Sequence, residues 1–254
     1  KWIEMLETNH SLSQEEEWQV NEMKALLLNE RGNQDEFLPI WYKLLKQYRE
    51  ADKPEEVGKC LLTIASHFVM LEDYDNALPL YKEAYQLAVE HEFVDLQKSS
   101  GIMLVKYLCG AGDYSKSLEY YNKINPEIAL VPSMQNEVVK SYMELNKPDS
   151  ARIYLAERLL LEGGDKIFLN CMMAETYIPE GQEDSAFIFL DRAMESYKEK
   201  KKYYQGKDRE VVLPGYFLST CYLFADLLWK KGKVQQANQY YTFVEPLMKE
   251  VVRT

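Results

Sequence analysis

The sequence is poor in residues that make turns, staples and metal sites. Glycine numbers 11 and proline 9 in 254 residues, which favours long regular elements over many tight turns. The four cysteines, Cys60, Cys109, Cys171 and Cys221, are nowhere closer than 49 residues apart, and only three histidines exist, His10, His67 and His91. Structural zinc needs clustered thiolates or imidazoles, so neither metal nor cofactor is expected. The cysteines read as small buried hydrophobes. Positive charge is also short: 30 Lys and Arg stand against 41 Asp and Glu, a net charge of −11. Lys and Arg contacts to phosphate supply most nucleic-acid affinity, and basic segments are what anionic membrane surfaces attract. Direct nucleic-acid binding and membrane contact by this region are therefore not expected. No apolar run reaches the roughly 18 residues of a spanning helix.

Catalytic signatures are missing as well. Gly163-Gly164-Asp165-Lys166 lacks the spacing of a phosphate loop and its following Ser or Thr. There is no GxSxG elbow and no HExxH pair. Ser66 and His67 are neighbours on a helix and so do not face each other. A non-enzyme is expected. The basic, aromatic stretch Lys198–Arg209 reads as a solvated helix end whose cations suit the C-terminal dipole.

What the chain does have is repetition. Phe37-Leu38-Pro39-Ile40-Trp41-Tyr42-Lys43 and Ala77-Leu78-Pro79-Leu80-Tyr81-Lys82 share one phrase, and looser copies start at Ser117, Ala151, Ala186 and Ala237. Each copy has a turn-forming start, an anchor (small in all but the first) and a large residue four positions on. A further core-type residue follows three positions later: Leu44, Ala84, Ile124, Ala193 and Val244, with Arg158 as the exception. Spacing of i, i+4, i+7 marks one face of a helix. The anchors are spaced by 40, 40, 34, 35 and 51 residues. Each is preceded by a second apolar stripe with a close-packing position: Ala25 and Leu28; Leu61, Ile64, Ala65 and Phe68; Leu104, Val105 and Leu108; Val138, Val139 and Tyr142; Met173, Ala174 and Tyr177; Phe224, Ala225 and Leu228. Helix pairs are predicted at 14–30/34–49, 55–71/74–91, 94–110/114–124, 131–145/148–162, 165–178/183–203 and 213–231/234–252, after a short helix over 1–8. Ser13 to Glu16 fits a capping box. Pro54, Pro132 and Pro148 suit first turns, and Gly110-Ala111-Gly112 and Gly163-Gly164 suit helix stops.

Through Ala65, Phe68, Ala77, Tyr81 and Ala84, the pattern resembles the tetratricopeptide repeat family over residues 18–251. The usual Trp of the first helix and the closing Pro of the second are absent. The resemblance implies an all-α, right-handed α-solenoid of about six helix-turn-helix repeats in one domain, 1–254. The repeats fall near 18–51, 58–91, 98–125, 132–163, 167–200 and 218–251, with an insertion near 200–213. It further implies a concave groove lined by the first helices. Its candidate residues are Gln19, Glu22, Lys59, Lys106, Ser133, Asn136, Lys140, Glu175, Tyr222, Asp226 and Trp229, with Leu62, Ser99 and Cys171 beside them. Asn136 and Lys140 stand one turn apart, in the reverse order of the clamp that chaperone-binding members use for a terminal carboxylate.

The function implied is non-catalytic protein or peptide binding. The long repeats, the acidic balance and the start at Lys1-Trp2-Ile3 without Met resemble the sensor region of bacterial multi-domain transcription regulators. The alternative is a stand-alone assembly scaffold or co-chaperone-like adaptor. The compartment stays open: cytoplasmic, or periplasmic for a sensor fragment. In the last helix, Tyr240, Phe243, Leu247 and Val251 form a second apolar stripe at 3- and 4-residue spacing. It predicts contact with a following helix beyond Thr254 or self-association with a second copy.

Overall fold

A computed structural model describes residues 12–31, 33–124, 134–161, 165–205 and 214–251. These residues form helices only: α1 (Gln14–Glu30), α2 (Gln34–Glu50), α3 (Pro54–Met70), α4 (Tyr74–Glu90), α5 (Val94–Gly110), α6 (Tyr114–Lys123), α7 (Gln135–Glu144), α8 (Pro148–Leu159), α9 (Lys166–Tyr177), α10 (Glu183–Tyr204), α11 (Gly215–Lys230) and α12 (Val234–Val251). Each odd helix pairs with the even helix that follows, and the expected pairs hold to within a few residues at their ends. The expected helix over 1–8, Pro132, Gly163-Gly164 and 206–213 of the insertion lie outside the described residues. The chain divides into two compact units, 1–134 and 135–254. That break falls after the third repeat, where the sequence shows no boundary.

The caps account for the helix ends. Ser13 Oγ accepts from the Glu16 amide, and the Glu16 carboxylate accepts from the Ser13 amide at 2.8 Å, closing the capping box. Asp73, Asp113 and Asp165 cap α4, α6 and α9 from one side only, each satisfying amides that have no helical partner. Pro54 and Pro148 occupy first turns. At the turns, the last linker residue returns its amide to a carbonyl five residues back: Lys53 to Tyr48, Asp73 to Phe68, Phe93 to Ala88, Asp113 to Leu108, Lys147 to Tyr142, Gln182 to Tyr177 and Lys233 to Leu228. This closure puts the preceding residue in the left-handed region. Gly112, Gly181 and Gly232 take it at φ +80, +69 and +75, whereas Asp52, Glu72, Glu92 and Asn146 take it with a side chain at φ 52 to 59, at roughly 1 kcal/mol each.

In the first unit the anchors Phe37, Ala77 and Ser117 are all buried, as are Leu44, Ala84 and Ile124. Trp18 packs edge-on against Tyr48 at 4.9 Å. Gly58 marks a close approach of α3 to α5, since a Cβ there would sit 2.1 Å from Leu96 Cδ2. In the second unit Ala151, Ala186 and Ala237 are fully buried. Arg158, the residue that breaks the pattern, is itself buried, with its guanidinium 4.7 Å over the Tyr154 ring. All four cysteines are buried and free, as small hydrophobes would be. Among the described residues no three potential metal ligands cluster, and no helix is long and apolar enough to cross a membrane.

One buried polar group sits badly in this core. His67 on α3 is 2% exposed, its ring lies 4.9 Å from that of Phe37, and neither ring nitrogen has a hydrogen-bond partner among the described residues. Burial holds its pKa below the ordinary value, because the cation would lose its hydration. The unfolded chain accepts the proton first, near pH 6.5. The contribution of His67 is therefore whole above that pH and is lost as pH falls through the folded pKa. His67→Leu is expected to raise stability by about 1 kcal/mol at pH 7. It should also flatten the decline below pH 6.5, measured by urea titration at a series of pH values. A decline as steep as in the parent chain would show that His67 is not its source.

Candidate protein-binding face

The odd helices carry the predicted groove residues, and helical spacing places them on shared faces. On α1, Gln19 is exposed and Glu22 half-buried. Glu22 is already engaged, accepting from the Tyr48 hydroxyl at 2.8 Å. Burial, then the neighbouring Glu22, raises the Tyr48 pKa, so Tyr48 remains a donor. On α3, exposed Lys59 pairs with Glu55 at 2.7 Å. On α5, Ser99 and Lys106 are exposed, with the Lys106 ammonium 5.9 Å over the Tyr107 ring. The first unit also presents apolar side chains on these helices that the repeat pattern alone does not single out: Met23 and Leu26 on α1 and Met70 on α3, exposed by 45%, 51% and 66%. Met23 and Leu26 follow Gln19 and Glu22 at 3- and 4-residue steps, and that spacing could have flagged them.

In the second unit, Asn136 and Lys140 are exposed one turn apart on α7. Ser133 lies outside the described residues. Cys171 on α9 is expected toward the groove, but it is buried against α11 in the unit's core. Glu175, one turn on, is also drawn into the α9–α11 contact. The Thr220 hydroxyl lies 2.5 Å from Glu175 Oε1 and 2.9 Å from the Tyr216 carbonyl oxygen. The Tyr216 carbonyl already accepts a helical amide, so the Thr220 proton is free for Glu175. Burial raises the Glu175 pKa, against the lowering effect of the Thr220 hydrogen bond. At the start of α9, Asp165 accepts the amides of Ile167 and Phe168 and, through its other oxygen, the Tyr216 hydroxyl at 3.0 Å. These bonds fix α11 against α9.

So fixed, α11 turns Tyr222, Leu223 and Trp229 outward, exposed by 52%, 47% and 51%. Tyr222, Asp226 and Trp229 follow at i, i+4, i+7 along one face. Tyr222 is braced edge-on by Tyr241 at 5.2 Å, and Asp226 holds Lys230 at 2.6 Å. Large aromatic area with a satisfied polar rim is the composition of protein-binding surfaces. Of the last-helix stripe, Phe243 is exposed. Tyr240 is half-buried against Phe224 at 5.2 Å and lines a cavity with Phe243 and residues of α10. The side chains of Leu247 and Val251 lie outside the described residues.

Neither a protein-family model nor a curated protein matches the chain. Among solved structures it is similar to the apo form of RapI, at 14% identity and a TM-score of 0.55, over 100% of this chain and 90% of that one. A Podosopora anserina kinesin light chain with nearly identical TPR-like repeats aligns at 14% identity and a TM-score of 0.36, over 85% of this chain and 97% of that one. The likeness to RapI is one of fold, and the fold is the all-α, tetratricopeptide-like array of helix pairs.

Proposed function

We propose that the chain is a non-catalytic interaction module that binds a protein or peptide segment on the exposed faces of its first helices. The observation that carries this reading is α11, a helix held rigidly by Asp165, Tyr216 and Thr220 that leaves Tyr222, Leu223 and Trp229 in solvent. A monomeric surface has little reason to expose two large aromatics and a leucine on one helix. Aromatic anchors of this type dominate protein–protein affinity. Exposed Met23, Leu26 and Met70 support the same use of the first unit. In the finer form of this reading, the chain is the sensor part of a bacterial signalling or transcription regulator. The long repeats and the net charge of −11 support it.

The test places a photo-crosslinking residue at Leu223 in the source cell, with a second chain labelled at exposed Asn238 on α12 as control. A partner trapped only from Leu223 is then purified. Its affinity for the Trp229→Ala chain is expected to fall about tenfold or more, with the thermal midpoint unchanged. Equal affinity for both chains would remove α11 from the binding face.

A further inference from the structure

Away from the first-helix faces, α10 and α12 both pack on α11 and leave a groove between them. Two cavities of about 270 and 290 Å³ lie along it. They are neighbours, with Phe187, Gln239 and Tyr240 lining both. Phe217 and Cys221 of α11 form part of the floor, and Phe187 and Phe243, exposed by 50% and 40%, form the walls. From Glu183 to Met194 the α10 wall runs about 17 Å, at 1.5 Å per residue.

The polar lining has one sign. Asp191 in one cavity, and Glu183 and Asp184 in the other, present carboxylates. Among the described lining residues the only cation is Lys233, and its ammonium is already bonded to Glu183 Oε1. The second oxygen of Glu183 is buried and has no hydrogen-bond partner among the described residues. Asp191 sits close enough to Tyr240 to help raise its pKa, which burial pushes up to about 12. The aromatic rings add their own preference, since ring faces attract cations, guanidinium above all.

We infer that the α10–α12 groove is a second docking site, taken by a segment of another protein in which arginine or lysine is flanked by large apolar side chains. Charge complementarity selects the cation: the carboxylates of Asp191 and Asp184 and the rings of Phe187, Phe217, Tyr240 and Phe243 line one trough. Its shape selects a chain over a small molecule. Ligand pockets enclose most of their occupant, whereas this trough is open along its length and matches about five extended residues or three helical turns. Phe217, Cys221 and Tyr240 receive the apolar side chains while Asp191 and Asp184, both exposed, meet the cations. The site is separate from the face around Trp229, so each can fail without the other.

The probe is an amidated ten-residue peptide alternating leucine and arginine, titrated into the 254-residue chain by calorimetry. Two companions are the same peptide with citrulline for arginine and N-acetylarginine amide alone. Binding is expected to weaken at least about tenfold with the citrulline peptide and in each of Asp191→Asn and Phe187→Ala. Trp229→Ala is expected to leave it unchanged. Both variants alter exposed side chains, and their thermal midpoints should match the parent. Failure of the peptide to bind would overturn the proposal. So would affinity unchanged in both variants, which would mean a diffuse attraction to the acidic surface. N-acetylarginine amide binding as tightly as the peptide would replace the segment with a small cation. A chain that sediments as a dimer, made monomeric by Phe187→Ala, would replace it with a second copy.

Discussion

Ala77→Asp is expected to destabilise the first unit by about 3–5 kcal/mol, a large part of the 5–15 kcal/mol that holds a typical domain. Ala77 is fully buried on α4, which packs against α3, so the new carboxylate would lose its hydration. The position is near the start of α4, so the helix dipole would favour the charge. That favour is at most about 1 kcal/mol on a surface, too little to offset desolvation of a carboxylate in a close-packed crossing. Gln19→Ala, on the exposed face of α1, should stay within about 0.5 kcal/mol of the parent. Urea titrations of the two variants decide the matter, and equal midpoints would mean that the repeat register is wrong.

That register was legible because it is periodic. Six anchors at helical spacing, each with a partner stripe, fix which side of each helix is buried, and every anchor from Phe37 to Ala237 is under cover. Helix ends were legible where chemistry announces them, at Ser13, Pro54, Pro148 and Gly112. The left-handed turn positions at Asp52, Glu72 and Glu92 were not, because nothing in an acidic side chain signals positive φ. The closure that imposes it comes from the backbone. Gly58 likewise reads as an ordinary helix glycine until Leu96 of the next repeat appears beside it.

The candidate face was legible only in part, for a related reason. Periodicity names the face of a helix, but it cannot say how closely the next repeat's first helix approaches. Cys171 and Glu175 share the outward register of α9, yet α11 packs over both, burying the thiol and most of the carboxylate. The corresponding face of α11, Tyr222 to Trp229, stays open. Phe187 was indistinguishable from a core residue in the sequence, whereas Phe243 stood out in the second stripe of the last helix; that both line one gap depends on two helices about 50 residues apart, which no local pattern records.

The same inter-repeat logic gives the second large effect. Arg152→Ala is expected to cost the second unit about 2–4 kcal/mol, the range for removing a hydrogen-bonded charge from a buried network. Arg152 on α8 has only 14% of its side chain exposed. Its Nη2 donates to the Thr176 carbonyl oxygen at 2.8 Å and to Glu180, and Nε donates to Thr176 Oγ1 at 3.2 Å. Its guanidinium also stacks 3.9 Å over the Tyr177 ring. One side chain thus satisfies a carbonyl in the last turn of α9, neutralises Glu180 and covers an aromatic face, joining two repeats at one point. Removing it strands a helix-end acceptor and a half-buried carboxylate at once. The pair with Asp149 at 3.0 Å adds little, because Asp149 is 89% exposed and such pairs are screened. Arg152→Lys should recover less than half of the loss, since an ammonium can meet one acceptor but cannot fork between two while stacking on a ring. Asp149→Ala should be nearly silent. Chemical denaturation of the three variants separates the contributions, and an Arg152→Lys chain as stable as the parent would reduce Arg152 to a simple surface charge.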